Sequence, residues 1–145
     1  MGYLSLDEII VSPLKRIPTK GGDILHALRE FDSGYNGFGE IYFSFVEKGA
    51  IKAWKCHQHM TLNLVVPIGE ITFVFHLPDG KNSFRSEIIG ESRYSRLTVP
   101  AGIWFGFQGN SNGGSLLMNL ANITHDPDEV LHKELTEINF EWRTK

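Results

Sequence analysis

The residues best suited to chemistry stand in one stretch, Ile51 to Gly69, which reads IKAWKCHQHMTLNLVVPIG. In extended chain, where side chains alternate in direction, the odd positions Lys55, His57, His59, Thr61 and Asn63 form a polar row. The even positions Trp54, Cys56, Met60, Leu62, Leu64 and Val66 form an apolar row broken by Gln58. Such a polar row is either the wet face of an antiparallel strand or the lining of a barrel mouth that holds an anionic, oxygen-rich small molecule. Imidazole is largely neutral near pH 7, which makes His57 a candidate base. Lysine becomes a base only if desolvation or a neighbour such as Lys52 lowers its pKa. Otherwise Lys55 suits a phosphate or a developing enolate oxygen.

The surrounding chain must supply strands to position that row. Glu40 to Glu47 alternates Ile41, Phe43 and Phe45 against Tyr42 and Ser44, a strand signal. Ile71, Phe73, Phe75 and Leu77 follow at every second position until Leu77-Pro78-Asp79-Gly80, a hairpin turn signal. Ser83 to Ile89 is more polar and reads as an outer strand. Arg93 to Val99 alternates again, and the turn Pro100-Ala101-Gly102 leads into the aromatic run Ile103-Trp104-Phe105-Gly106-Phe107. Leu116 to Ile123 contains Asn119 and Asn122, amides that are either structural or ligand-facing once buried. Asp126-Pro127-Asp128-Glu129 has the residues of a helix start, so a short helix is expected to about Glu134. Ile138 to Trp142 is expected to pack back on the body. The opening Ile9 to Arg29, broken by Pro13, Pro18 and Gly21-Gly22, suits short strands at an edge or against another subunit. Short strands punctuated by Gly and Pro, closed by one short C-terminal helix, predict an all-β sandwich or barrel of the jelly-roll kind.

The 145 residues fit a single domain spanning 1–145, with no internal repeat or linker. With 41% apolar and 21% charged residues the chain is globular, and a net charge of -3 argues against nucleic acid as partner. A small anion on a local cationic patch remains compatible. The lone Cys56 excludes an internal disulfide framework and any Cys-rich metal pattern, so a cytoplasmic setting is the default. The N-terminal residues do not form a signal peptide, and no run approaches the ~20 apolar residues of a membrane helix, so a soluble protein with no membrane partner is expected.

Three blocks, the central stretch with Gly69-Glu70, LTVPAGIWFGF (Leu97 to Phe107) and ITHDPDE (Ile123 to Glu129), resemble the cupin-like sugar-nucleotide isomerases in content, order and spacing. The likeness runs from about Gly21 to Trp142 and is greatest to the dTDP-4-dehydrorhamnose 3,5-epimerases. It implies a cupin-type jelly-roll β-barrel. In those epimerases the first block reads RGLHYQ, and its histidine removes protons beside the sugar's 4-keto group. Lys52 stands at the arginine position, Lys55 at the histidine and His57 at the glutamine. The family's second catalytic residue, a tyrosine, falls on Asn119, and its HGF becomes Phe105-Gly106-Phe107. Against the RGxHAHK of the related 3,4-ketoisomerases, His57 matches the second histidine.

The resemblance implies an epimerase or isomerase acting on a nucleotide-linked 4-keto-6-deoxy sugar in surface polysaccharide (rhamnose-type) biosynthesis. Proton abstraction beside the keto group would use His57 or Lys55, with Asn119 where the acid is expected. The nucleotide sugar would be held by Lys52, Arg93, Arg96, Trp104 and Phe105, with Tyr94 nearby and His59 and Asn63 continuing the polar row. His57-Gln58-His59 also has the spacing of metal-binding cupins, but Asn63 and Phe105 stand where further ligands are needed. No metal or other cofactor is therefore expected. The alternatives are a sugar-nucleotide binding protein that has lost the family's chemistry and, less favoured, a metal-dependent cupin oxygenase. A homodimer is implied, because the family exchanges N-terminal strands.

Overall fold

The computed structural model describes residues 4–78 and 83–143. Its strands are β1 (Ile10–Pro13), β2 (Arg16–Ile17), β3 (Ile24–Leu25), β4 (Glu40–Val46), β5 (Ile51–His57), β6 (Leu62–Ile68), β7 (Glu70–Leu77), β8 (Ser83–Gly90), β9 (Ser95–Val99), β10 (Trp104–Gly109), β11 (Ser115–Ala121) and β12 (Val130–His132). One five-stranded sheet runs β1-β9-β6-β11-β4 and a second runs β12-β5-β10-β7-β8. All of these pairings are antiparallel, and β2 and β3 form a separate hairpin. This is the jelly-roll architecture the strand pattern predicted.

The core lies between the sheets. Leu62, Leu64, Val66, Leu97 and Val99 project from the first sheet against Ile71, Phe73 and Phe75 of the second, all buried. Burying one such side chain contributes ~1.5–3 kcal/mol. Because inward residues recur at every second position, the alternation read in β7 and β9 follows directly from this packing. The polar strand β8 lies at the edge of its sheet, as its composition suggested.

Two expectations are corrected. The helix predicted from Asp126 to about Glu134 does not form. Its cap is real, since Asp126 Oδ1 accepts from the Asp128 N–H at 2.9 Å and Glu129 N–H donates to Asp126 O at 3.1 Å. After that single turn, Val130, Leu131 and His132 pair with His57, Cys56 and Lys55, and the ladder replaces the helix. The only C-terminal helical turn among the described residues is 3₁₀, Leu135–Glu137. The stretch from Ile51 to Gly69 is two strands, because the chain bends after His57 and crosses to the other sheet before Leu62. The strand expected from Glu40 to Glu47 forms as β4, with its apolar row outward: Ile41, Phe43 and Phe45 are exposed, while Tyr42 and Ser44 line the barrel end. The turn read at Leu77 to Gly80 extends outside the described residues.

Ile138, Phe140 and Trp142 pack back as expected, onto the outer face of the second sheet. Trp54 lies at the centre of this satellite core, with its ring centroid 6.4 Å from Phe140 and 5.3 Å from Trp142.

Candidate active site at the barrel mouth

One end of the barrel opens into a cavity of about 520 Å³, within the range of small-molecule sites. The first sheet supplies Tyr42 and Ser44 from β4 and Leu117 and Asn119 from β11. The second supplies Lys52, Lys55 and His57 from β5 and Phe105 and Phe107 from β10. His132, Lys133 and Glu134 border it beside Glu137.

A bulge in β5 explains how Lys52 and Lys55 share this wall. Strict alternation would place positions three apart on opposite faces. Here Phe105 pairs with Lys55 and Gly106 with Ala53, so Trp54 is the extra residue. A bulge of this kind re-aims side chains. Lys52, opposite Phe107, thus returns to the cavity, while Trp54 turns to the outer face and donates its Nε1–H to Leu135 O at 3.2 Å. Gly106 permits the close strand approach, because a Cβ there would lie 2.5 Å from Ala53 Cβ. Two ammonium groups thus stand on this wall, with Glu134 and Glu137 at the rim. The Lys55 pKa is lowered, chiefly by partial loss of solvent and secondarily by Lys52.

His57 is buried and its Nδ1 bonds to Glu129 Oε2, from the turn that follows Asp126. The other carboxylate oxygen accepts the backbone N–H of His59 at 2.9 Å and of Met60 at 3.0 Å. Burial alone would raise the Glu129 pKa, but the bonds from His57, His59 and Met60 bring it below the ordinary value. A carboxylate so fixed holds the imidazole with a proton on Nδ1 and the lone pair on Nε2. The His57 ring also stacks beside Phe105, with centroids 6.2 Å apart and planes at 25°. Asn119 is buried and its Nδ2 donates to Tyr42 Oη at 3.1 Å, the two residues being partners in the β4–β11 ladder.

Of the residues read from sequence, Lys52, Lys55, His57, Phe105 and Asn119 come together here. The others do not. Asn63 lies on the outward face of the first sheet, where its Oδ1 accepts from Arg96 Nε at 3.0 Å and from Thr98 Oγ1 at 2.6 Å. Arg96 is buried behind the same sheet, donating to Ala27 O at 2.9 Å and Ser33 O at 2.7 Å. It anchors the 26–34 segment and does not reach the cavity. Arg93 is exposed and pairs with Glu87 at 3.6 Å. Trp104 belongs to the outer satellite core, beneath Lys133 Nζ at 4.7 Å from its ring centroid. His59 is exposed and contributes its backbone N–H. Among the described residues, no three His, Cys, Asp or Glu side chains are grouped to hold a metal ion.

Sequence reasoning missed Glu129 and Tyr42. Glu129 stands 72 residues from His57 and carried only a helix-start signal. Tyr42 did leave a trace: it shares parity with Ser44, opposite the apolar row of β4.

Two antiparallel sheets closing on an aromatic-lined mouth that carries two lysines give the cupin-type jelly-roll barrel. No protein-family model and no curated protein matches the sequence. Among solved structures, a dTDP-sugar isomerase from Desulfovibrio desulfuricans G20 is 32% identical over 94% of this chain and 91% of its own, with a TM-score of 0.88. The chain belongs to the family of that dTDP-sugar isomerase. The fold is shared more widely. The sugar 3,4-ketoisomerase QdtA from Thermoanaerobacterium thermosaccharolyticum, in complex with TDP, is 16% identical over 89% of this chain and 90% of its own, with a TM-score of 0.75. The dTDP-6-deoxy-D-glucose-3,5-epimerase RmlC from Legionella pneumophila, in complex with dTDP-4-keto-L-rhamnose, is 17% identical over 92% of this chain and 76% of its own, with a TM-score of 0.77.

Proposed function

We propose that the protein is a nucleotide-sugar epimerase or isomerase acting on a dTDP-linked 4-keto-6-deoxy sugar in surface polysaccharide synthesis. The observation that carries this reading is the Glu129-oriented His57 in a cavity shared with Lys52 and Lys55. His57 Nε2 removes the proton beside the keto group, and the electron pair passes to the carbonyl oxygen. Lys55 stabilises the enolate oxygen, where a fixed cation in a partly desolvated site is most effective. Lys52 holds a diphosphate oxygen, and Phe105 and Phe107 form the apolar wall against the sugar or base.

Direct incubation tests the proposal. In deuterated water, deuterium enters the carbon next to the keto group of a dTDP-4-keto-6-deoxy sugar faster with protein than without it, and His57→Ala abolishes the difference. No uptake above the uncatalysed rate across several nucleotide sugars refutes the catalytic reading. Asn119, an amide at the family's tyrosine position, favours a second reading, a binder without turnover. Tight dTDP binding with no isotope exchange supports that reading.

A homodimer in the cytoplasm is part of the proposal. Ile41, Phe43 and Phe45 form an exposed apolar stripe at the edge of the first sheet, continuous in the ladder with Leu116 and half-exposed Leu120. A contiguous apolar face of this kind is suited to a subunit contact. Among the described residues, no helix is long and apolar enough to cross a membrane.

A further inference from the structure

We propose that Tyr42 is the catalytic acid of this site, donating a proton to the face of the sugar opposite the base. This rests on the reading of the site as a sugar-nucleotide epimerase and names a residue at a position the family's motif does not designate.

The geometry begins with the two walls of the cavity. His57 and Lys55 stand on β5 in the second sheet, whereas Tyr42 stands on β4 in the first, and all three line the same space. A sugar ring between the sheets therefore has the base on one side and a phenol on the other. Asn119 cannot supply a proton as a phenol does. It does something else: its Nδ2–H occupies a lone pair of Tyr42 Oη at 3.1 Å and fixes the ring. The phenolic hydrogen is left to be donated into the cavity. Tyr42 is 39% exposed, consistent with a side chain at the mouth where ligand can reach it. Partial burial, with Glu40 second, raises its pKa above 10.0, so the phenol stays protonated at neutral pH. Tyr42 thus places a phenol one strand away from Asn119, on its ladder partner.

The step balances. His57 Nε2 takes the carbon-bound proton, and the C–H electron pair becomes the enolate π bond while the carbonyl π pair moves to oxygen. Collapse of the enolate then draws the Tyr42 proton onto the opposite face of the same carbon, restoring the carbonyl and leaving phenolate and imidazolium. Water returns a proton to the phenolate and accepts one from the imidazolium before the next turnover.

The test uses Tyr42→Phe in the full chain, with the substrate that the wild type turns over, in deuterated water. The variant retains wash-in of deuterium from the His57 side with unchanged configuration, while inverted product falls ~100-fold or more, the usual size of an acid–base contribution. Its dTDP affinity stays within about twofold of wild type, since the phenyl ring remains. Inverted product within about threefold of the wild-type rate overturns the role of Tyr42 while leaving the enzyme reading intact. Exchange and inversion falling equally, or a wild-type reaction that relocates the keto group without inverting a centre, overturns it as well. A wild type that exchanges no deuterium with any nucleotide sugar removes the parent reading and this proposal together.

Discussion

Glu129→Gln separates what the carboxylate does for the fold from what it does for His57. The substitution is nearly isosteric, and a Gln carbonyl oxygen can still accept the His59 and Met60 N–H groups that Glu129 Oε1 accepts at 2.9 and 3.0 Å. The other oxygen, now at His57 Nδ1, becomes an NH₂. Two donors cannot face each other, so the imidazole must move its proton to Nε2 and lose the lone pair that the proposed proton abstraction uses. A positioned general base contributes ~10²–10⁴-fold. The Gln variant should therefore exchange deuterium into substrate about 10³-fold more slowly, equivalent to ~4 kcal/mol of barrier. Its stability should fall by only ~1–2 kcal/mol, the difference between a charged and a neutral hydrogen bond. Glu129→Ala instead strands both N–H groups, and at ~1–3 kcal/mol per unsatisfied buried donor it should lose ~2–6 kcal/mol in urea unfolding. A Gln variant that exchanges within about threefold of wild type would show that Glu129 is structural alone. The same carboxylate sets an acid limb. Its folded pKa lies below the reference 4.5, so its contribution is present above 4.5 and is lost as the pH falls through the lower folded value. Glu129→Gln should flatten that part of the stability profile.

Three further outcomes follow from the same geometry. Lys52→Gln removes the like charge beside Lys55 and should raise the Lys55 pKa, read from its ε-carbon shift in an NMR titration; an unchanged titration contradicts the shared wall. Arg96→Met leaves the carbonyls of Ala27 and Ser33 without their donor and should cost about 3 kcal/mol in chemical unfolding. Its dTDP affinity should match wild type, and a large loss would return Arg96 to the binding site. If the proposed homodimer forms through β4, replacing Phe43 and Phe45 together by Asp should lower the mass in light scattering from dimer to monomer, and a dimer that persists would exclude the β4 face as the contact.

Much of the fold was legible because burial on one face imposes a period of two. Ile71, Phe73 and Phe75 announce β7, and Leu97 and Val99 announce β9, through packing that any jelly-roll core requires. What local pattern conceals is which face an apolar row seeks. Ile41, Phe43 and Phe45 look like core residues, yet they face outward, and the polar row opposite them reaches the cavity. Nor can local pattern weigh distant pairing. Asp126 to Glu129 satisfied the rules for starting a helix, but the ladder to β5 and the bond to His57 determined the outcome. The site was half legible for the same reason. Lys55 and His57 were found by parity along β5, whereas Asn63 shared that parity on paper and lies on another sheet after the chain crosses over.

The extra residue in β5 makes one short segment serve two masters. Lys55 and Trp54 are bonded neighbours, one aimed at the cavity and the other gripped from outside by Phe140 and Trp142. Whatever loosens that aromatic clasp frees the backbone from which the lysine projects. Wear on the far side of the wall should be felt as blurred aim at the mouth, so variants chosen only for exterior packing are a route to adjusting the position of Lys55 without touching any side chain that lines the cavity.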